Sequence, residues 1–532
     1  MPRVSRRSRA GRLAAAAILA AAVTAACGSS HPTSARDSAT VRSAATVRTL
    51  SVAAPARAST PGALTLTVGR RTSGAPIPAG FLGLSLEYPA VEAYAGSDPA
   101  SVNPVFLQLI RNLAPNQAPD LRIGGDTTDW TWWPVPGVAK PGGVKYSLNR
   151  RFAAVTAALA HDLGARVILG IQFEADSAQV AGAEARVLVA GIGRSSIQAL
   201  ELGNEPELYG SFTWYTTTGG QHVKGRPPNY DFSAYQRDFS RIGAALPRLP
   251  LAGPATGAPK WIPQLPRFLP AQPRVSVATL HRYPVQQCYR SPASPVYPSV
   301  AHLLAPAASR GLADSVAPYV GVAHARHVGL RIDEMNTVSC GGAPGVANGF
   351  VSALWALDAV FQMARVGVDG VNIHSYPRAP YELFTFSRRD GRWRGFVAPE
   401  YYGLMMFAQA APSGAHLLRL SGALGNVRAW ATRAPDGTTH VVLINEYTAQ
   451  SRTVAVRIAG ATAPATLERL RARGITATTG VTLGGQTFGT STATGTLAGG
   501  STVATVHPAA GAYAVRLPPA SAAMLTLSSP PA

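Results

Sequence analysis

Eight short apolar runs recur between residues 81 and 377, each followed by a longer amphipathic or Ala-rich stretch. They are FLGLSLEY from Phe81, DLRIGGDT from Asp120, RVILGIQF from Arg166, IQALELGN from Ile197, PLAGPATG from Pro250, VSVATLHRY from Val275, GLRIDEMN from Gly329 and GVNIHSYP from Gly370. Apolar runs of this length suit strands buried on both faces, as in a parallel sheet. Between them, RFAAVTAALAHDLG from Arg151 and GFVSALWALDAVFQMARVG from Gly349 read as helices, the second closing at Gly367, a residue suited to a helix C-terminus. Eight strand–helix units predict an α/β fold, a (β/α)8 TIM barrel with inserted loops. A doubly wound open sheet would carry a phosphate-binding glycine loop, and neither G-x-G-x-x-G nor G-K-[ST] occurs.

After YYGLMMFAQAA, which ends at Ala411, the period changes from helical to alternating. VRAWATRA, HVVLINEY, RTVAVRIAG and AYAVRLPPASAAMLTL, set apart by Gly and Thr turns, predict an all-β sandwich over residues 412–532. ALTLTVGRR from Ala63 also alternates; it opens the 63–411 catalytic segment but can join the β domain as an extra strand. Residues 28–62 are rich in Ala, Ser and Thr with no apolar period and read as a flexible linker.

At the N-terminus, Arg3, Arg6, Arg7, Arg9 and Arg12 precede the run LAAAAILAAAVTAAC, the layout of an export signal over residues 1–27. The run is too short for a membrane span. It resembles a bacterial lipoprotein signal with Cys27 as the lipidation site, although Thr24 stands where such signals carry Leu; plain secretion and an uncleaved signal are the alternatives. The expected location is therefore extracellular, free or lipid-anchored on the outer face of the cytoplasmic membrane, with no other membrane contact. The formal charge of +21 falls by the five Arg of the signal to +16. A basic exported protein can meet anionic saccharides, whereas nucleic acid is not expected, because no zinc-finger spacing, RNA-binding aromatic motif or Lys/Arg stripe is present. Of three Cys, Cys288 and Cys340 remain once Cys27 is set aside. In an oxidising compartment they can form a disulfide, two separate thiols being the alternative.

The strand ends carry the chemistry. The fourth run finishes in Asn204-Glu205-Pro206 and the seventh in Asp333-Glu334-Met335-Asn336. Barrel active sites lie at the C-terminal ends of the strands, and strands four and seven face each other across the mouth. Two carboxylates about 5–5.5 Å apart are what a retaining glycosidase uses, one as acid/base and one as nucleophile. Glu201 has the same strand parity as Glu205 and is its rival as the acid, with a buried hydrogen-bond network as its other role. No G-x-S-x-G, H-E-x-x-H or zinc-spaced Cys/His cluster is present, so no metal or other cofactor is expected.

RIDEMN is similar to the nucleophile strand of the retaining barrel glycosidases, and in order along the chain FLGLSLEY, LRIGGDTTDW, ELGNEPELYG, LHRYP and the trailing β domain resemble glycoside hydrolase family 79, the β-glucuronidases and heparanases, over residues 63–530. The resemblance implies Glu205 as general acid/base, Glu334 as nucleophile, Asn204 on the sugar 2-hydroxyl and Tyr283 hydrogen-bonded to the nucleophile. Arg122 is expected as a charge partner of Glu334. His281, Glu87, Asp126, Asn336 and Tyr376 complete the expected substrate-binding set, with His374 and the Trp130, Trp132 and Trp133 cluster as further lining. The implied substrate is a carbohydrate bearing β-linked glucuronic acid, acted on by a monomer. A related barrel glycosidase for neutral sugars and a non-catalytic sugar-binding lipoprotein remain as alternatives.

Overall fold

The computed structural model describes residues 50–51, 64–288 and 290–528, so the expected export signal, Cys27 and most of the expected linker lie outside the described residues. All eight apolar runs are strands: β1 Leu82–Leu86, β2 Asp120–Ile123, β3 Arg166–Ile171, β4 Ile197–Leu202, β5 Leu251–Thr256, β6 Val275–Arg282, β7 Gly329–Met335 and β8 Gly370–Ser375. They pair in parallel in chain order and close into a barrel where β8 meets β1, from Val371 opposite Leu82 to Ser375 opposite Leu86. Helices cover the outside. Arg150–Leu163 begins with the Asn149 side chain accepting from Phe152 N and ends at left-handed Gly164; Phe350–Val366 ends at left-handed Gly367. Both ends follow ordinary capping chemistry.

The barrel interior is apolar on one side and charged elsewhere. Ile168, Ala199, Ala252 and Val277, from β3 to β6, form a small apolar cluster. At the N-terminal end of the barrel, Arg331 lies 3.2 Å from Asp120 and donates to Asn372. Gly370 makes room for it: a Cβ there would come within 2.1 Å of the Arg331 guanidinium. Buried away from solvent, these groups serve as one another's charge and hydrogen-bond partners.

The β region is one 11-stranded mixed sheet rather than a set of strands confined to the C-terminal segment. Leu64–Ser73 lies inside it, antiparallel to His416–Ala423 and parallel to Arg452–Ile458. The sheet packs on itself as a sandwich, burying Leu66, Val454 and Val515 in one cluster with Val441, Leu443 and Leu525. On its outer side Leu470, Leu483, Phe488 and Met524 belong to the same apolar core as the barrel helices. Phe361 of the long helix stacks on Trp430 of the sheet at 5.2 Å. Barrel and sheet are therefore one packed body. No helix among the described residues is long and apolar enough to cross a membrane.

Candidate active site

Glu334 is the penultimate residue of β7, and Glu205 stands three residues beyond β4 in a left-handed backbone conformation, φ 47°. That conformation is uncommon for a residue with a Cβ and is held by the Glu205 N–H donating to Ala255 O at 2.9 Å. It turns the Glu205 side chain back over the barrel mouth. One oxygen of Glu205, one of Glu334 and a ring nitrogen of His281 all lie within 4.8 Å of one another. The three could surround a cation, but positive charge is already supplied there by Arg122 and by the histidines, so the trio is an acid–imidazole–carboxylate arrangement.

The two carboxylates have different surroundings. Glu334 accepts from Arg122 Nη1 at 2.6 Å and from the Tyr283 hydroxyl at 2.8 Å, and its side chain is 9% exposed. Burial pushes its carboxyl up, but His374, His281 and Arg122, helped by Tyr283, outweigh burial and hold it well below the usual carboxylate range. It is an ionised, oriented carboxylate. Glu205 is 25% exposed, with the His281 Nδ1 atom 3.1 Å from its Oε1. It faces the opening, where a proton can be exchanged with substrate or water.

Several expected site residues sit behind the cleft instead of lining it. Arg122 is fully buried and spends its donors on Glu201, Glu334, Ser85 and Asn204, at 2.7, 2.6, 3.2 and 2.9 Å. His281 is equally hidden, between Glu205 on one side and Arg122 and Asp333 on the other. Glu87 was expected on substrate hydroxyls, but its oxygens accept from Asp126 N at 3.1 Å and Thr127 N at 2.9 Å, fixing the turn after β2. Gly125 permits this, since a Cβ there would meet Glu87 at 2.4 Å. Asn336 is fully buried and donates to His374 O at 2.7 Å, bracing β7 against β8, so it too is scaffold. Arg122 is the charge partner of Glu334, as expected, while His281, Glu87 and Asn336, expected on substrate, turn their polar atoms to protein groups. Asp126, Tyr283 and Tyr376 keep part of their surface open, and Asn204 is buried beside them. The Asn204 amide donates to Asp126 at 3.2 Å, and Tyr376 is partly exposed.

Other residues complete the support. Asp129 accepts from Phe173 N and Glu174 N, each at 2.9 Å, from Asn204 N at 3.0 Å and from the Tyr209 hydroxyl at 2.5 Å. It thereby ties the ends of β3 and β4 together and aims Asn204-Glu205. His374, at the end of β8, lies 3.0 Å from Ser85 Oγ and 3.9 Å from Glu334. Glu207 caps the β5 loop, accepting from Gly257 N at 2.8 Å and Ala258 N at 2.9 Å. Trp132 is buried, whereas Trp130 lies under Lys145 Nζ, 3.0 Å from its ring centre. Cys288 and Cys340 are bonded, their Cα atoms 5.7 Å apart, just beyond the short parallel pairing of Val285–Gln286 with Val338–Ser339.

Residues 423–524 match the model of the glycosyl hydrolase family 79 C-terminal beta domain. Among curated proteins, no sequence matches the chain. The fold is similar to that of a 4-O-alpha-L-rhamnosyl-beta-D-glucuronidase from Fusarium oxysporum 12S, with TM-score 0.66 and 20% identity over 87% of this chain and 100% of that one. A family 51 arabinofuranosidase from Xanthomonas axonopodis pv. citri gives TM-score 0.58 and 18% identity over 87% of this chain and 99% of that one. An alpha-L-arabinofuranosidase from Thermotoga maritima gives 0.60 and 14% over 88% and 100%. The fold is thus shared with these glycoside hydrolases along most of this chain.

Proposed function

We propose that the protein is a retaining glycoside hydrolase that removes β-linked glucuronic acid. The observation that carries this is the Glu205–Glu334 pair: two carboxylates within 4.8 Å across a barrel mouth, one locked and ionised, the other open to the cleft. That closeness fits direct attack by one carboxylate, the arrangement of a retaining enzyme. Glu334 attacks the anomeric carbon as Glu205 protonates the departing oxygen; a bond to Glu334 forms and the glycosidic bond breaks. Water then attacks the glycosyl ester, giving its proton to Glu205 and releasing Glu334. Tyr283 and Arg122 keep Glu334 in line for both steps, and Asn204 faces the sugar beside Asp126.

The uronate preference is supported by the family 79 β domain and by the glucuronidase among the similar folds. Exposed Lys145 and Arg378 add positive charge at the rim, beside Trp130 and Tyr376. The Arg-rich leader and Cys27 extend the proposal to an exported, lipid-anchored monomer. The test is kcat/KM for an aryl β-glucuronide against the matching β-glucoside and β-xyloside. A site that pairs a sugar carboxylate leaves polar groups unmatched with a neutral sugar, so the glucuronide should lead by about a hundredfold or more. A ratio near one would leave a glycosidase of another specificity.

A further inference from the structure

Three buried carboxylates crowd one guanidinium beneath the cleft. Glu201 Oε2, Asp333 Oδ2 and Glu334 Oε2 lie 2.7, 3.1 and 2.6 Å from Arg122 nitrogens, and the Glu201 and Asp333 side chains are fully inaccessible to water. The Arg122 Nε–H is aimed at Glu201, and neither oxygen of Asp333 nor Oε1 of Glu201 receives a hydrogen bond from any other group. Glu201 Oε2 and Asp333 Oδ2 both press on the one Arg122 Nε atom, at 2.7 and 3.1 Å, so the two acids compete for a single donor. Two ionised carboxylates sharing that one donor would repel, in a region where water cannot screen them. One added proton removes the excess charge and creates the missing donor.

The geometry says which acid holds it. Asp333 faces two cationic groups, Arg122 from β2 and the His281 Nε2 atom from β6 at 3.7 Å. Glu201 faces Arg122, more distant His281, and Asp333 from β7; Tyr235 packs near it from the helix Phe232–Gly243. We propose that Glu201 is a neutral carboxylic acid in the working enzyme, donating its O–H to ionised Asp333, and that this pair is the standing counterion of Arg122. The catalytic part of this rests on the retaining reading above. When Glu334 becomes a glycosyl ester it loses its charge, the leaving group having taken the proton of Glu205. Asp333 then keeps Arg122 from becoming an uncompensated buried cation. When Glu334 is ionised again, the proton on Glu201 keeps the floor from holding three negative charges. Burial, aided by Asp333 and opposed by Arg122, pushes the Glu201 carboxyl up to about 8, in keeping with this. Glu201 is a positioning residue acting through Asp333 and Arg122.

Infrared difference spectra of Glu201→Gln against wild type at pH 6 read the proton without substrate. The carbonyl band of a protonated carboxyl should be lost in the variant, whose amide keeps both an acceptor for Arg122 and a donor for Asp333. The pH profile of kcat on the best aryl glycoside is the second readout. Glu201→Gln should move the alkaline limb up by about one unit or more, because the group that ionises has gone. Asp333→Asn should lower kcat by about a hundredfold across the whole range. An unchanged band, an unmoved alkaline limb, a Glu201→Gln protein that does not fold, or equal losses in the two variants would overturn the proposal. If no glycoside is turned over, the retaining reading fails, while the infrared band still decides the state of Glu201.

Discussion

Tyr283 and Arg122 hold the two oxygens of Glu334 from opposite sides, the phenol at 2.8 Å from Oε1 and the guanidinium at 2.6 Å from Oε2. Tyr283 is the first residue beyond β6 and Arg122 lies within β2, so the carboxylate is held from two separate barrel strands. Tyr283→Phe removes one donor and leaves the ring packing. It should lower kcat by about tenfold to a hundredfold with little change in melting temperature, since the lost hydrogen bond orients a charged group in the reaction. Steady-state kinetics beside a thermal melt checks both parts.

Glu205→Ala should spare the first step for substrates with a good leaving group and stall the second, for want of a base. Added azide, which needs no base, should restore turnover and yield a glycosyl azide of retained configuration. If Glu201→Ala is the variant rescued, the acid/base has been assigned to the wrong carboxylate.

The eight barrel strands and both central glutamates are legible in the sequence because strand burial and strand-end chemistry leave local patterns. The partners of the buried charges are not. Arg122, Glu201 and Asp333 each interrupt an apolar strand, which says that each needs a counter-charge but not that all three share one. Asp129 and Ser85 look like ordinary turn and strand residues, and their roles appear only when β1, β3, β4 and β8 close around them. Glu87 and Asn336 sit at strand ends like catalytic residues, yet each turns to backbone groups that the barrel brings near. The strand from Leu64 is legible as a strand; its place between two strands that lie more than 340 residues further on is set by long-range pairing alone.

Stability should fall on the alkaline side. Burial pushes Glu174 up to about 9, with Asp129 adding to it, and Glu446 up to about 8 against the pull of Arg428. A carboxyl raised in the fold stabilises it fully below the ordinary carboxyl pKa of about 4.3, and that contribution is lost as pH rises through the folded value. The melting temperature should therefore fall from about pH 4.3 until the folded values of about 8 and about 9 are passed. A Glu174→Gln, Glu446→Gln double variant should flatten that drop; an equally steep drop would contradict the assignment.

The Cys288–Cys340 bridge closes a separation of 52 residues and pins the loop that follows Glu334. Cys288→Ser with Cys340→Ser should cost about 2–4 kcal/mol of stability, read by denaturant unfolding. Thiol titration of the unreduced, denatured protein should find neither cysteine free.

The central claim is that Glu334 forms a covalent bond to the sugar while Glu205 handles the proton. Incubation with an activated 2-deoxy-2-fluoro-β-glucuronide, followed by digestion and peptide mass spectrometry, tests it most directly, because slowing both steps lets the ester accumulate. The predicted result is one sugar per chain on the peptide containing Glu334, with the label absent from Glu334→Ala. A label on Glu205, on Glu201 or on any other residue, or turnover of the aryl glucuronide with inverted configuration and no label, would contradict it.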